Sequence, residues 1–370
     1  MRRALILATG CSLLLLCGRA ADAEEFPVPV FEQQALFTSG AGGYHTYRIP
    51  SLIVTKRGTV LAFCEARKND ASDLGDVDLM LRRSADSGQT WSKPQLVHGD
   101  AEHTIGNPCP VVDRKSGTIW LPLCRDNKRV LMMKSTDDGL TWNQPNDITS
   151  DVMNPKWHWV GTGPGHGIQL ASGRLLIPCW ADATPKLGEI QLSYAFFSDD
   201  AGKSWKFGDA MDANASDECE AVELADGSIY MNMRSRQGKR QRASAISKDE
   251  GQTWSPVKFD ARLPEPSVQG SVIRWTHAKE QVRNRVLLAT PADPKARRRM
   301  TVRISYDECR TWPLSKVVDE GPAAYSDLAV APDSGILLLY ESHAYKRLTL
   351  VRFNHAWLTD YKEPPIKDGE

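Results

Sequence analysis

The amino-acid sequence predicts an all-β protein, a six-bladed β-propeller that residues 24–370 form as a single domain. Three observations lead to this prediction: an octapeptide that recurs five times, a pair of strand-like runs that recurs six times, and no long stretch with helical periodicity. The composition agrees, because 41% of the 370 residues are apolar and 25% are charged, which excludes a disordered, collagenous or coiled-coil protein.

The first residues are predicted to lie outside the propeller. Two arginines precede an apolar run from Ala4 to Leu16, and small residues ending at Ala23 follow, which is the layout of a secretory signal peptide over residues 1–23. The run is shorter than the roughly 20 apolar residues that span a bilayer. A lipid anchor at Cys17 is the alternative, but a leucine precedes that cysteine where a small residue is usual. We expect an exported protein, secreted or periplasmic, cleaved near Ala23.

The octapeptide has the frame S-x-D-x-G-x-T-W and predicts a recurring turn. Its copies are SADSGQTW (84–91), STDDGLTW (135–142), SDDAGKSW (198–205), SKDEGQTW (247–254) and SYDECRTW (305–312). An Asp two residues before a Gly can accept hydrogen bonds from turn amides, the Gly can take a positive φ, and the Trp can pack as an apolar plug. We therefore assign a structural role, and neither catalysis nor calcium binding, to Asp86, Asp137, Asp200, Asp249 and Asp307.

The strand-like runs predict six hairpins whose turns recur every 50 to 59 residues. In chain order the pairs are YRIPSLIV with RGTVLAFCEAR, NPCPVV with SGTIWLPLCRD, GHGIQL with SGRLLIPCWAD, CEAVEL with DGSIYMNMRSR, GSVIRW with NRVLLATPAD, and YSDLAV with SGILLLYES. Repeats of this kind are typical of propeller blades, whereas two β-sandwiches or a β-solenoid explain neither the sixfold hairpin nor the turn that follows it. We expect an N-terminal run near residues 28–37 to help close the ring.

The charge balance and the cysteine content limit which binding partners, cofactors and disulfides we expect. Lys plus Arg and Asp plus Glu both number 46, so no overall basic field is available for nucleic acid or an anionic membrane. The chain has no CxxC, HExxH or histidine cluster, so we expect no metal and no cofactor. Six cysteines follow residue 23, too few for a disulfide framework; Cys109 and Cys124 flank one predicted turn and are the candidates for a cross-strand bridge.

Hairpin geometry brings one set of polar residues together. The start of a hairpin's first strand lies beside the end of its second, so these positions in six equivalent blades meet on one end face. The polar residues there are Arg48, Glu218 and Tyr325 at strand starts, Glu65, Arg67, Arg234 and Glu341 at strand ends, and Asp73 and Arg297 in nearby loops. A mouth that gathers arginines, acids and a tyrosine is the candidate active site.

The motifs that carry these residues resemble a known family. They are YRIP (47–50), CEAR (64–67), SDLGDVDLMLRRS (72–84), GTGPGHGIQL (161–170), DECEAVEL (217–224), MNMRSR (231–236), AYSDLAV (324–330) and LLYE (338–341). In this order, and with the five octapeptides, the chain resembles the bacterial exo-α-sialidases (neuraminidases) of the Asp-box or BNR-repeat family, glycoside hydrolases of family 33 type, over essentially its whole mature length. The octapeptides alone are weaker signals, because several unrelated propellers carry them.

The resemblance implies an arginine triad of Arg48, Arg234 and Arg297 that binds the substrate carboxylate. Guanidinium groups bind carboxylates bidentately and keep their charge, which suits an acidic sugar. Arg298 and Arg299 directly follow Arg297, so a solvated basic run is the competing interpretation for two of these three residues.

The resemblance also implies a tyrosine nucleophile, Tyr325, with Glu218 as its general base, which is a known exception among retaining glycosidases. Glu220 and Glu223 compete with Glu218 on strand alternation alone, and the family motif selects Glu218. A neutral phenol avoids the repulsion between a carboxylate nucleophile and the carboxylate on the anomeric carbon of sialic acid.

The remaining roles implied by the resemblance support this centre. Asp73 would protonate the leaving oxygen as general acid/base, Arg67 would add to the pocket, and Glu341 would orient Arg48 through a buried ion pair. Trp157, Trp159 and His166 lie near a loop that could form a pocket wall, and packing is an equal explanation for them.

We therefore expect a retaining exo-α-sialidase, active as a monomer on the terminal sialic acids of sialylated glycans, glycoproteins or glycolipids. One alternative is a same-fold enzyme that acts on a related 2-keto-3-deoxy sugar acid, or that transfers sialic acid instead of hydrolysing it. Another is a non-catalytic Asp-box propeller that acts as a lectin. The presence of tyrosine, glutamate and aspartate in the catalytic motifs favours the enzyme over the lectin.

Overall fold

Short antiparallel strands follow one another along the described chain, which comprises residues 28–278 and 283–363 of a computed structural model. The two helices in these ranges, α1 (Thr149–Val152) and α2 (His355–Thr359), are four and five residues long. In this part of the chain, no helix has the length and apolar character needed to cross a membrane. The predicted signal peptide and its cysteines lie outside the described residues.

The strands fall into groups that follow the predicted hairpins. The first strands are β1 (Phe31–Thr38), β2 (Thr46–Val54), β3 (Val60–Arg67), β4 (Val77–Ser84) and β5 (Gln95–His98). They are followed by β6 (Ile105–Gly106), β7 (Val111–Val112), β8 (Ile119–Arg125), β9 (Arg129–Ser135) and β10 (Asn146–Asp147). The next group comprises β11 (Trp159–Thr162), β12 (Ile168–Gln169), β13 (Leu175–Asp182), β14 (Gln191–Ser198) and β15 (Lys206–Phe207).

The second half of the chain continues in the same way. Its first group is β16 (Ser216–Glu223), β17 (Ile229–Ser235), β18 (Gln241–Ser247) and β19 (Lys258–Pro264). The last strands are β20 (Ser271–Thr276), β21 (Arg285–Pro291), β22 (Arg298–Ser305), β23 (Leu314–Val330), β24 (Ile336–Ser342) and β25 (Arg347–Phe353). All six predicted hairpins are present among the described residues, as pairs of antiparallel strands.

Strand pairing divides the described residues into six antiparallel units, numbered here in chain order. Units 1 to 4 are separate sheets: β2–β5, β6–β10, β11–β15 and β16–β19. The long strand β23 belongs to two units, because its first half pairs with β22 in unit 5 (β20–β23) and its second half pairs with β24 in unit 6 (β23–β25 and β1). The all-β class is confirmed; the six units support the predicted count of six blades, and the single domain stays a prediction.

The first strands of neighbouring units meet in the middle of the molecule. The contacting pairs are β7 with β12, β12 with β16, β16 with β20, β20 with β23, and β23 with β2. The N-terminal strand β1 pairs with β25 along its length, from Phe31 opposite Phe353 to Thr38 opposite Arg347, as the ring-closure prediction requires. Apolar side chains of adjacent sheets form the hydrophobic cores between the units.

The octapeptide turns are built as the sequence predicts. In the first copy, Asp86 accepts hydrogen bonds from the Thr90 amide at 2.8 Å and the Thr90 hydroxyl at 2.5 Å, and Gly88 has a φ of 86°. These hydrogen bonds lower the pKa of Asp86 to about 2. The tryptophans pack against five different hydrophobic cores and are Trp91, Trp142, Trp205, Trp254 and Trp312. Each of the five aspartates thus stabilises the turn of its own octapeptide.

The predicted bridge between Cys109 and Cys124 is wrong. All six cysteines of the described residues are buried free thiols. The cause is the break between β6 and β7: Cys124 pairs with Gly106, whereas the Cys109 amide donates to the Pro122 carbonyl, so the two cysteines are not cross-strand partners. Cys109 instead packs against Gly163 of unit 3.

Candidate active site

Three first strands carry a β-bulge where they reach the same end of the molecule. The register shifts lie at Arg48/Ser51 in β2, Ser216/Cys219 in β16 and Ala323/Ser326 in β23. A bulge bends its strand and turns a side chain away from the regular alternation, and bulges are frequent beside active sites. The residues in or beside these bulges are Arg48, Glu218 and Tyr325, three of the predicted site residues.

Tyr325 and Glu218 form the centre of the site. The Tyr325 hydroxyl donates a short hydrogen bond to Glu218 Oε1, and Arg234 Nη1 lies 2.8 Å from Glu218 Oε2 and 3.2 Å from the Tyr325 hydroxyl oxygen. Burial and the negative charge of Glu218 raise the pKa of Tyr325 well above its ordinary value. The phenol is therefore neutral and its proton points at a carboxylate that can accept it.

The three predicted triad arginines all surround Tyr325. Arg234 contacts its hydroxyl, and the guanidinium carbons of Arg48 and Arg297 lie 5.3 Å and 5.5 Å from its ring centroid. Arg297 contacts the Tyr345 hydroxyl at 3.2 Å and the Ser267 carbonyl at 3.1 Å, and among the described residues it has no carboxylate within 4.0 Å. A partly buried cation without an anion beside it marks a place where a ligand carboxylate can bind.

The arginines that follow Arg297 face elsewhere. Arg298 pairs with Asp293 at 2.5 Å and Arg299 pairs with Glu320 at 2.9 Å, both on the surface. Arg297 alone of the three reaches Tyr345 and Tyr325, so the run is divided between one residue of the site and two solvated ones.

Glu341 joins the two strands that carry Arg48 and Tyr325. Its carboxylate accepts from Arg48 Nε at 2.7 Å and Nη2 at 3.2 Å, and also from the backbone amides of Ile49 at 3.0 Å and Tyr325 at 3.2 Å. Ile49 has a φ of 56°, which is a strained conformation for a β-branched residue and which turns its amide toward Glu341. One buried carboxylate thus fixes the positions of Arg48 and of the Tyr325 backbone.

Asp73 lies at the rim, on the loop between β3 and β4. Its side chain is 79% exposed and its Oδ1 is 2.7 Å from Arg67 Nη1 and 3.5 Å from Arg48 Nη1. Arg67 is held in turn by Glu65, whose Oε2 lies 2.7 Å from Arg67 Nη2. Of the polar residues that hairpin geometry gathered, Glu65 had no assigned role, and it positions Arg67.

A cavity of about 460 Å³ opens between these groups. Its walls include Asp73, Glu218, Tyr325 and Arg234 together with residues from other units. Trp159 lines it as well, whereas Trp157 packs on Tyr194 with ring centroids 4.7 Å apart and His166 hydrogen-bonds Asp327 away from the cavity. All eight predicted site residues therefore lie in or directly beside one mouth, called the active mouth below: Arg48, Arg67, Asp73, Glu218, Arg234, Arg297, Tyr325 and Glu341.

Sequence reasoning missed a carboxylate and two other residues of the active mouth. Asp217 is buried, lies 3.2 Å from Arg236 Nη1 and accepts from the Glu218 amide at 2.7 Å. Burial raises the pKa of Asp217 to about 7, although the nearby arginines oppose this. Strand alternation from Arg234 could have found Arg236, whereas Tyr345 lies on a loop between β24 and β25 that carries no motif.

Comparisons with known proteins agree with this geometry. Residues 58–338 match the model of the BNR repeat-like domain family. A sialidase of Micromonospora viridifaciens is 34% identical over 89% of this chain and 55% of its own length, and a sialidase of Bacteroides fragilis is 33% identical over 80% of this chain and 60% of its own length. The chain thus spans little more than half of these relatives.

A solved structure of another protein has a similar fold. The Hadza microbial sialidase Hz136 superposes with a TM-score of 0.79 at 27% identity, covering 87% of this chain and 68% of that one. The family match covers most of the chain and includes the hairpins that carry Glu218 and Arg234. The chain therefore belongs to the BNR repeat-like domain family.

Proposed function

We propose that the protein is a retaining exo-α-sialidase, which removes terminal α-linked sialic acids from glycoconjugates through a covalent tyrosyl-sialosyl intermediate. The observation that carries this proposal is the Tyr325 hydroxyl, hydrogen-bonded to Glu218 and surrounded by three arginines, one of which has no carboxylate partner among the described residues. The sialidase relatives support the same substrate class.

Substrate binding is assigned to the arginines. Arg297 and Arg234 offer guanidinium N–H groups next to Tyr325, and Arg48 is held in place by Glu341. Each charged hydrogen bond contributes roughly 1.5–3 kcal/mol, enough to select an acidic sugar over a neutral one. Bound in this way, the sugar carboxylate places its neighbouring anomeric carbon close to the Tyr325 oxygen.

In the first step, Tyr325 Oη bonds to the anomeric carbon and the glycosidic C–O bond breaks. The phenol proton moves to Glu218, which already accepts its hydrogen bond, and Asp73 donates a proton to the leaving oxygen. Asp73 suits the second task because it stands exposed at the rim, where the leaving group departs, and Arg67 holds its carboxyl.

In the second step, water replaces tyrosine on the anomeric carbon. The water gives a proton to Asp73, and the departing Tyr325 oxygen regains its proton from Glu218, so both carboxyls return to their starting states. Two displacements at one carbon restore the α configuration of the released sugar.

Turnover of a fluorogenic α-sialoside, with the product followed by NMR, tests the proposal. We expect the α-anomer of free sialic acid to form first and to convert later to the β-anomer. First appearance of the β-anomer would exclude a covalent intermediate. Binding without turnover across several sialic acid forms would favour a lectin, turnover of only another 2-keto-3-deoxy sugar acid would change the substrate, and a sialylated acceptor product would indicate transfer.

A further inference from the structure

The backbone of Ser326, the residue after Tyr325, is held by one side chain from another unit. The Ser326 amide donates to Gln269 Oε1 at 3.0 Å, and Gln269 Nε2 donates to the Ser326 carbonyl at 3.0 Å. Ser326 lies on the inner edge of unit 6, where no further strand supplies ladder partners. Gln269 therefore takes the place of a neighbouring strand for this one residue.

Gln269 is itself fixed from several directions. It is 1% exposed, and its Nε2 also lies 3.2 Å from the Pro164 carbonyl of unit 3 and 3.2 Å from Glu220 Oε1 of unit 4. Three acceptors face the amide nitrogen, which has two hydrogens, and one donor faces the amide oxygen, so only one orientation of the side-chain amide places its donor side toward the acceptors.

The residue after Ser326, Asp327, is also held by hydrogen bonds. Asp327 accepts hydrogen bonds from the Leu52 amide at 2.7 Å, the Ser271 hydroxyl at 3.0 Å and His166 Nδ1 at 2.7 Å. Gln269 and Asp327 form, with His166, Glu220 and Ser271, a buried group at the centre of the molecule, called the axial cluster below. The backbone that follows the Tyr325 bulge thus has little freedom.

We propose that Gln269 is a positioning residue for Tyr325: by holding both backbone groups of Ser326, it sets the place of the Tyr325 hydroxyl relative to Glu218 and to the anomeric carbon. This inference rests on the proposed function of Tyr325 as the nucleophile. Gln269 lies behind the bulge and does not contact the substrate. Its loss moves the reacting oxygen, while the arginines keep their other partners, which are Glu341 for Arg48, Glu218 for Arg234 and Tyr345 for Arg297.

Steady-state kinetics of Gln269→Ala with a fluorogenic α-sialoside test this inference. We expect kcat to fall about 10- to 100-fold, because a displacement of order 1 Å at a reacting atom costs up to about 100-fold, with KM within about twofold. The control is Asn232→Ala, which removes another fully buried amide, one that accepts from Arg242 Nε at 2.8 Å and has no hydrogen bond to Ser326 among the described residues. It should lower the melting temperature to a similar degree and leave kcat unchanged.

Amide hydrogen exchange gives a readout that does not depend on turnover. The peptide that contains Ser326 should exchange faster in Gln269→Ala than in Asn232→Ala. If Gln269→Ala does not fold, Gln269→Glu replaces it: a carboxylate cannot donate to the Ser326 carbonyl, a protonated carboxyl can, so its kcat relative to the native enzyme should recover as the pH falls.

The possible failures are distinguishable. Native turnover with an unchanged kcat in the Gln269 variants, or an equal loss of kcat in Asn232→Ala, overturns the positioning role and leaves the proposed function intact. No turnover by the native protein overturns the proposed function and this inference with it.

Discussion

The active mouth and the axial cluster both contain buried carboxylates, but the side chains that neutralise these carboxylates differ between the two regions. In the active mouth, Glu341, Glu218 and Glu65 each have an arginine within 2.8 Å. In the axial cluster, Glu220 and Asp327 have His166 and amide or hydroxyl donors, and no Arg or Lys of the described residues lies within 4.0 Å of either.

This difference separates two kinds of buried charge. Arginine keeps its charge at any ordinary pH, so Glu341, Glu218 and Glu65 each have a permanent cation beside them and orient the groups that bind substrate. The axial cluster contains no permanent cation among its described neighbours and depends on protons for neutrality. Burial and the charge of Asp327 accordingly raise the pKa of Glu220 well above its ordinary value. Four substitutions test the comparison, the largest effect first.

Tyr325→Phe removes the reacting oxygen of the active mouth and should lower kcat about 1,000-fold or more, since deletion of a covalent nucleophile costs at least that much in well-studied hydrolases. Kinetics with a fluorogenic α-sialoside measure the loss. The matched control is Tyr340→Phe, which removes a buried hydroxyl bonded to Asp319 at 2.9 Å outside the active mouth. Near-normal hydrolysis by Tyr325→Phe would show that Tyr325 is a packed core tyrosine and not the nucleophile.

Glu341→Gln breaks a buried ion pair and leaves Arg48 without its compensating charge. The free energy of unfolding should fall by about 3–5 kcal/mol, and KM should rise because Arg48 is no longer held for the substrate. Denaturant unfolding and kinetics measure the two effects. Glu32→Gln, at an exposed pair with Arg352, should cost at most about 1 kcal/mol. Unchanged affinity in Glu341→Gln would contradict the orienting role.

Glu220→Gln makes the same chemical change in the axial cluster, and we expect a smaller effect on the unfolding free energy that depends on pH. In the unfolded chain this glutamate ionises near 4.5, whereas in the folded chain it keeps its proton, so the native protein loses stability as the pH rises above that value. The amide cannot ionise. The unfolding free energy of the variant, relative to the native protein, should therefore increase between pH 4 and pH 7, and an equal difference at both pH values would refute the raised pKa.

Asp86→Ala is the reference substitution for the other three, because its octapeptide turn lies outside both regions. Loss of its hydrogen bonds to Thr90 should cost about 1–2 kcal/mol of unfolding free energy and leave kcat and KM within about twofold. Thermal unfolding and kinetics check this. A selective loss of activity would assign this turn a functional role that its geometry does not indicate.

Contacts between residues close in sequence were predictable. The octapeptide turn joins residues four positions apart, so Asp86 and Thr90 reveal it directly. Hairpin geometry also predicted which polar residues meet in the active mouth, because it places the first residues of one strand beside the last residues of the next. The family motifs then separated Glu218 from Glu220, which the structure puts in the active mouth and the axial cluster respectively.

Contacts set by register and by distant loops were not predictable. The break between β6 and β7 shifts Cys109 away from Cys124; Pro108 and Pro110 weaken the ladder there, but they do not fix the register on either side of the break. Tyr345 reaches Arg297 from a loop 48 residues away, and Gln269 reaches Ser326 across 57 residues. These pairs follow from how whole units pack against each other, which local patterns do not encode.

The pairing of β1 with β25 has a consequence for the order of folding. Phe31 and Phe353 are partners, so the first of the described strands to be made must wait for the last of them. At a synthesis rate of roughly 5–20 residues per second, that wait lasts about 15–60 s. Until then the edge of β1 is unpaired and can join foreign strands. The pairing of β1 thus depends on synthesis through β25, and a chain that stops before that strand leaves this edge of β1 open.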